Sequence, residues 1–243
     1  MSPQRPISLT GSFHNNSSKS VLLDTSIGII FVVVSVPMIN TEVNSMTGQI
    51  NDTFNYKGTN YSISAIEYPK EFFEISALGL APSSFSTACW RGYVAYFAID
   101  DDRHLILKHL NTNKGSLEES AVPKINGKAP ISKEDSFGSS LDYKDVDLPL
   151  PYSGGVLITD GFIHERYVHM GFQSPLSYEL VIELKFKNGL FMGETDLSEM
   201  IKSQRENTVD ITEEEKLRTL PRWIDEQFDL SYDKLYRPTS EKN

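Results

Sequence analysis

Between residues 178 and 187 the chain reads YELVIELKFK. Tyr178, Leu180, Ile182, Leu184 and Phe186 alternate with Glu179, Glu183, Lys185 and Lys187, and Val181 alone is out of phase. That period of two predicts a strand with one face on a core and the other in water. Asn188-Gly189 follows, the strongest short hairpin signal, and LFMGE is the return strand. Two further apolar runs, GYVAYFAI at 92–99 and HLILKHL at 104–110, flank the polar DDDR and predict a second hairpin. In FNYKGTNYSISAI, Lys57-Gly58 marks a turn, and Tyr61, Ile63 and Ala65 alternate with Ser62 and Ser64. GGVLITDGFIHERYVHM reads as another pair of strands around Asp160-Gly161, and EYPKEFFEISALGL as a helical turn entering a loop.

Outside these runs the pattern changes. Residues 1–20 are rich in Ser, Asn and Pro and read as disordered. IGIIFVVVSV at 27–36 is shorter than the ~20 apolar residues of a membrane span. Its Ile and Val content suits a strand buried on both faces. A secretion signal over 21–39, or a true start at Met46, are the alternatives, although no small-x-small cleavage pattern follows. Residues 111–152 are polar with no aliphatic period and predict a flexible insertion. DLSEMIKSQRE suggests a short helix. Beyond it, Thr212 and Glu215 form a capping box, and Leu217, Leu220, Ile224 and Phe228 make one stripe that Pro221 should kink.

The expectation is therefore an α+β chain, mainly antiparallel β, whose hairpins build a sandwich- or barrel-like sheet with a helical C-terminal tail. It divides into an N-terminal extension over 1–50, a β-rich core over 51–197 and an acidic tail over 198–243.

Composition narrows the chemistry. A formal charge of −10 disfavours nucleic acid and anionic membrane surfaces as partners. A lone cysteine allows no internal disulfide and no Cys-rich zinc site, which favours the cytoplasm. His164 and His169 in HERYVH are five apart, not the four of a zinc-protease helix, and His104 and His109 fail in the same way. Asp100–Asp102 lack the spacing of a calcium loop, and YSGGVLITDG lacks the lysine of a phosphate loop. No metal and no cofactor are expected.

Two clusters remain. Cys89 is a conceivable nucleophile, activated by a nearby histidine and by the cation Arg91, against the plainer role of a small buried residue. Trp90, Arg91 and Tyr93 suit binding, because Trp, Tyr and Arg dominate interaction hot spots; so do Arg166, Tyr167 and His169. The competing reading has Trp90 filling the core and Arg91 paired with a carboxylate.

The stretches STACWRGY at 86–93 and YVHMGF at 167–172, with FNYKGTNYSISAI and GGVLITDG, resemble a family of small uncharacterised bacterial proteins over roughly 54–192. Phe97 stands where that family has an aromatic, often Trp, and the 111–152 connection departs from its pattern. The resemblance implies one β-rich domain and no activity. The leading functional expectation is a soluble, non-enzymatic protein-interaction module, immunity- or inhibitor-like. The alternatives are a hydrolase-type enzyme using Cys89 or His169, with Arg91 and Arg166 holding an anionic substrate, and a sugar-binding domain on the aromatic cluster.

Overall fold

The computed structural model describes residues 47–135, 138–169, 171–207 and 230–232. Lys57 and Gly58 both adopt positive φ (51° and 81°), so a two-residue turn joins β1 (Thr53–Tyr56) to β2 (Thr59–Ile66) with the twist a hairpin needs. Pro69 opens the one-turn helix α1 (Pro69–Phe72), where its missing N–H costs nothing. β3 (Tyr93–Ile99) and β4 (Leu105–Asn113) are joined by the acidic turn, in which Asp100 Oδ1 accepts from the His104 N–H at 2.7 Å. β5 (Ile131–Asp135), β6 (Gly138–Tyr143) and the two-residue β7 (Leu148–Pro149) follow, then β8 (Gly154–Phe162). β9 (Tyr178–Lys187) turns at Asn188-Gly189 into β10 (Leu190–Asp196), and α2 (Ser198–Asn207) follows.

Among the described residues the ten strands form one sheet in the order β10-β9-β8-β2-β1-β3-β4-β6-β5, with β7 beside β4. Its pairings are antiparallel except β1 with β3, which run parallel with Thr53 opposite Tyr96 and Phe54 opposite Phe97. The sheet curls until its far end returns to β4. There the Leu105 N–H donates to Gly189 O at 2.8 Å and the Phe191 N–H to Arg103 O at 2.9 Å. Inside this barrel-like curl lies an aromatic core. Phe72 of α1 packs its ring 4.7 Å from Phe97 and 5.0 Å from Tyr152, and Phe186 lies against Phe54. The protein is α+β and β-rich, as the hairpin pattern predicts.

A second, smaller core lies on the other face. Leu197, just before α2, and Ile201 within it, together with Tyr232, cover Ala65, Leu157 and Val181. This departs from the alternation of β9, whose outer face was expected to be wet. Val181 is fully buried and Glu183 is 4% exposed, because α2 and the 230–232 segment pack over them. The Ile66 N–H donates to Leu230 O, and the Tyr232 hydroxyl donates to Glu183 Oε1 at 3.2 Å. A period of two reports which residues share a face; it does not report what covers that face.

Two other expectations differ from the structure. The 111–152 stretch, read as a flexible insertion, carries the end of β4 and all of β5, β6 and β7. Its Leu141, Tyr143 and Val146 are fully buried, and the Tyr143 hydroxyl donates to Pro123 O at 2.8 Å. The apolar residues of this stretch are too widely spaced to form a period, and burial comes from their contact with distant strands. The expected strand pair around Asp160-Gly161 is one strand, β8. It accommodates Gly161 at φ 69° and ends in a single 3-10 turn, His164–Arg166. The apolar run at 27–36 and the striped helix at 212–228 lie outside the described residues. Among the described residues no helix is long and apolar enough to cross a membrane.

Candidate functional site

The two aromatic-basic clusters meet along the irregular segment 47–52 that leads into β1. On one side the Ile50 N–H donates to Ala88 O at 2.8 Å. Gln49 Nε2 donates to Thr87 O at 2.8 Å, and Gln49 Oε1 accepts the Trp90 N–H at 2.9 Å. On the other side the Gln49 N–H donates to Gly171 O at 2.8 Å, and the Gly48 N–H donates to the Tyr167 hydroxyl. The segment is therefore zipped between the 82–92 and 163–173 loops. Gly48 fits closely there: a Cβ would lie 2.8 Å from Gln173 Nε2 and 3.1 Å from the Tyr167 hydroxyl, so those side-chain ends would have to shift.

Arg91 is the centre of this network. Its Nη1 and Nη2 donate to the two oxygens of Asp52, each at 2.7 Å, in a bidentate pair. Nε donates to Tyr93 O at 3.0 Å and Nη2 also to Ile50 O at 3.2 Å. The guanidinium lies 4.5 Å from the Tyr93 ring centre and 5.1 Å from that of Phe172. Asp52 accepts in addition from the Ala95 N–H at 2.6 Å, so one carboxylate ties together the start of β1, the start of β3 and the loop between α1 and β3. Burial pushes the Asp52 carboxyl up from its ordinary value, against the opposing pull of Arg91 and the Ala95 N–H. Burial alone would lower the Arg91 pKa, but the Asp52 carboxylate holds it above its ordinary value. With two aligned charge-assisted bonds, the pair is ionised. Gly92 completes the motif: at φ 74° its carbonyl accepts from Thr112 Oγ1 at 3.0 Å, and a Cβ there would stand 2.1 Å from Ser83 O.

The remaining candidates divide by environment. Cys89 is buried beside a small cavity of ≈ 140 Å³ lined in part by Ile50, Phe85 and Tyr93. Its thiol donates to Tyr93 O at 3.4 Å. Burial pushes its pKa up, outweighing the pull of Arg91, and among the described residues no hydrogen bond joins it to a histidine. This is a resting thiol, because an activated cysteine needs an environment that favours thiolate. Arg166 directs Nη2 at Arg205 O at 3.3 Å, tying its turn to α2. Both arginines that might have gripped an anionic substrate thus have partners inside the fold.

Trp90 is 47% exposed, Ile50 beside it in the network is also 47% exposed, and Tyr167 is 41% exposed. His169 is exposed as well and meets the Tyr167 ring edge-on at 5.0 Å. Trp90 therefore does not fill the core, whereas Arg91 does pair with a carboxylate. Asp52, Gln49, Ile50 and Phe172 are the members that the sequence left unnoticed. A single Asp in NDTF has no local signature, since its partner is thirty-nine residues away.

Next to Tyr167 the surface opens into a depression of ≈ 410 Å³ between β2, β8 and the 163–173 loop, with Tyr61, Phe162, Tyr167 and Tyr178 among its lining residues. Among the described residues no group of three or more His, Cys, Asp or Glu side chains is placed to hold a metal ion. Compared with protein-family models, curated proteins and solved structures, the chain matches none.

Proposed function

We propose that the protein is a non-enzymatic binding module that docks a protein partner on the face carrying Trp90 and Ile50. The observation that carries this reading is the contrast within one tripeptide. Arg91 is consumed by the internal Asp52 pair, while Trp90, its neighbour, is half exposed on a backbone held by Gln49. A large aromatic on a pre-ordered loop loses little freedom on binding, which is the property of an interface anchor. The net charge of −10 favours a cationic partner, steered by long-range attraction that salt weakens. An inhibitor- or immunity-like role against a basic enzyme fits both features. The Cys89 arm of the hydrolase reading is the less well supported, since burial raises the thiol's pKa and Arg91 is paired with Asp52.

The test compares wild type and Trp90→Ala as baits in lysate of the native cell, followed by titration of any purified partner that distinguishes them. Such a partner should bind the variant at least ~30-fold more weakly, the effect of a 2 kcal/mol hot spot, and should bind both less tightly as salt rises. Equal binding of every captured protein by the two baits would overturn the proposal.

A further inference from the structure

We infer that the ≈ 140 Å³ cavity beside Cys89 is a socket for one uncharged aliphatic side chain, of leucine or isoleucine size, carried by the protein partner; the inference rests on docking at the Trp90 and Ile50 face. Val94 on β3 and Asn111 on β4 line the cavity from the sheet. They are register partners and share its outer face, whereas the neighbouring pair, Ala95 and Leu110, is fully buried in the core. The Tyr93 ring also turns inward, 5.7 Å from that of Phe73, and its carbonyl takes the Cys89 thiol. The turn over 85–89 is closed by the Phe85 N–H donating to Cys89 O and the Cys89 N–H to Ser86 O, both at 3.0 Å. Ile50, bonded to this turn through Ala88 O, and Ser86 line the cavity while themselves exposed. The cavity therefore opens on the docking face, and its walls are held before a partner arrives.

Size selects the occupant. Whole small-molecule sites take ~300–1,000 Å³, so this cavity holds a single side chain rather than a free ligand. An apolar cavity of about 150 Å³ accepts benzene, so the benzyl group of Phe overfills this one, while the smaller branched chains of Leu and Ile fit.

Charge selects as well. Ile50, Phe85, Cys89 and Val94 supply apolar wall, and no lining residue is Lys, Arg, His, Asp or Glu. An ion placed there would lose its water with no counter-charge in return. The chain's charge of −10 thus draws a cationic partner to the face, but the side chain in the socket is neutral. Among the described residues the Asn111 side-chain amide has no hydrogen-bond partner, which leaves it to bond the peptide group of the entering residue.

The experiment titrates the full chain with N-acetyl-leucine methylamide and follows the Ile50 and Val94 methyl signals by NMR. The Gly, Phe and Lys analogues of the probe are the controls. The leucine probe should shift both signals saturably, with a Kd of about ten millimolar or tighter, and the controls should bind about tenfold more weakly or not at all. Val94→Phe fills the cavity and should abolish the Ile50 shift with unchanged circular dichroism. Asn111→Phe fills it from the facing strand and serves if the first variant loses stability. A partner that depends on Trp90 should bind both filled variants at least tenfold more weakly. No saturable shift, equal binding of the Gly or Lys probe, or wild-type behaviour of both filled variants towards probe or partner would overturn the inference. Equal capture by wild-type and Trp90→Ala baits strikes the docking reading instead, whereas the probe titration needs no partner and decides the socket by itself.

Discussion

Replacing Arg91 with Met keeps the aliphatic stem against Tyr93 and Phe172 and removes the guanidinium. The Asp52 carboxylate, 6% exposed, then keeps one hydrogen-bond partner, the Ala95 N–H. It must either stay charged and uncompensated or take up a proton. Protonating a carboxyl of ordinary pKa 3.8 at pH 7 costs about 4 kcal/mol, and that escape caps the penalty. The cap falls within the 3–5 kcal/mol typical of breaking one side of a buried pair. It also gives the penalty a sign in pH. The folded variant holds a proton that its unfolded chain releases near 3.8, so the variant loses stability as pH rises above that value. At pH 5 the cap shrinks to below about 2 kcal/mol. Urea unfolding followed by circular dichroism at pH 7 and pH 5 measures both terms. The variant should lie about 3–4 kcal/mol below wild type at pH 7, and the gap should close by half or more at pH 5. Adding Asp52→Asn, which still accepts from Ala95, should recover most of the loss. A gap independent of pH, or one under about 1 kcal/mol at pH 7, would refute the buried-pair argument, because an exposed pair is worth no more than that.

Burial pushes the Tyr143 phenol up to about 12 and raises Tyr152, Tyr178 and Tyr232 as well. The stability held by Tyr143, about 3 kcal/mol, is complete below pH 10 and is lost as pH rises through 12. By difference from Tyr143→Phe, the phenolate absorbance of Tyr143 should appear late and together with loss of circular dichroism; its titration near 10 in an intact fold would contradict this. Gly155→Ala places a Cβ 2.1 Å from the Tyr232 hydroxyl and 2.9 Å from Glu183 Oε1, so it should loosen the 230–232 segment at a cost of about 1–3 kcal/mol. Amide exchange should rise at Ile66 and Tyr232 and stay near wild type in β3 and β4, and the double variant with Tyr232→Ala should be less destabilised than the two single changes predict together.

These perturbations bear on the scaffold under the proposed docking surface. Sequence alone offered Cys89, Trp90, Arg91, Tyr93, Arg166, Tyr167 and His169 as candidates without ranking their roles. Geometry separates them into a scaffold of Arg91, Tyr93 and Arg166, a resting Cys89 thiol, and a surface of Trp90, Tyr167 and His169.

What the chain determined by itself was local. Lys57-Gly58 and Asn188-Gly189 turn because their backbones reach positive φ, and the two-residue turn sets Leu190 opposite Lys187 before a bulge between Phe191 and Gly193 shifts the register. These features need only neighbours in sequence, so β-rich hairpins were legible before any coordinates. Tertiary structure decided everything that depends on a distant partner. Glu183 is buried under Tyr232, Tyr143 is core within a stretch that read as loop, and β1 lies parallel to β3 across forty residues of chain. For Arg91 the sequence leaves two roles open, a clamp on an anionic ligand and a partner to one of the chain's carboxylates, because nothing beside it answers its charge. Its answer is Asp52, which enters only when the β1–β3 pairing closes, and neither periodicity nor spacing records which carboxylate a guanidinium will meet.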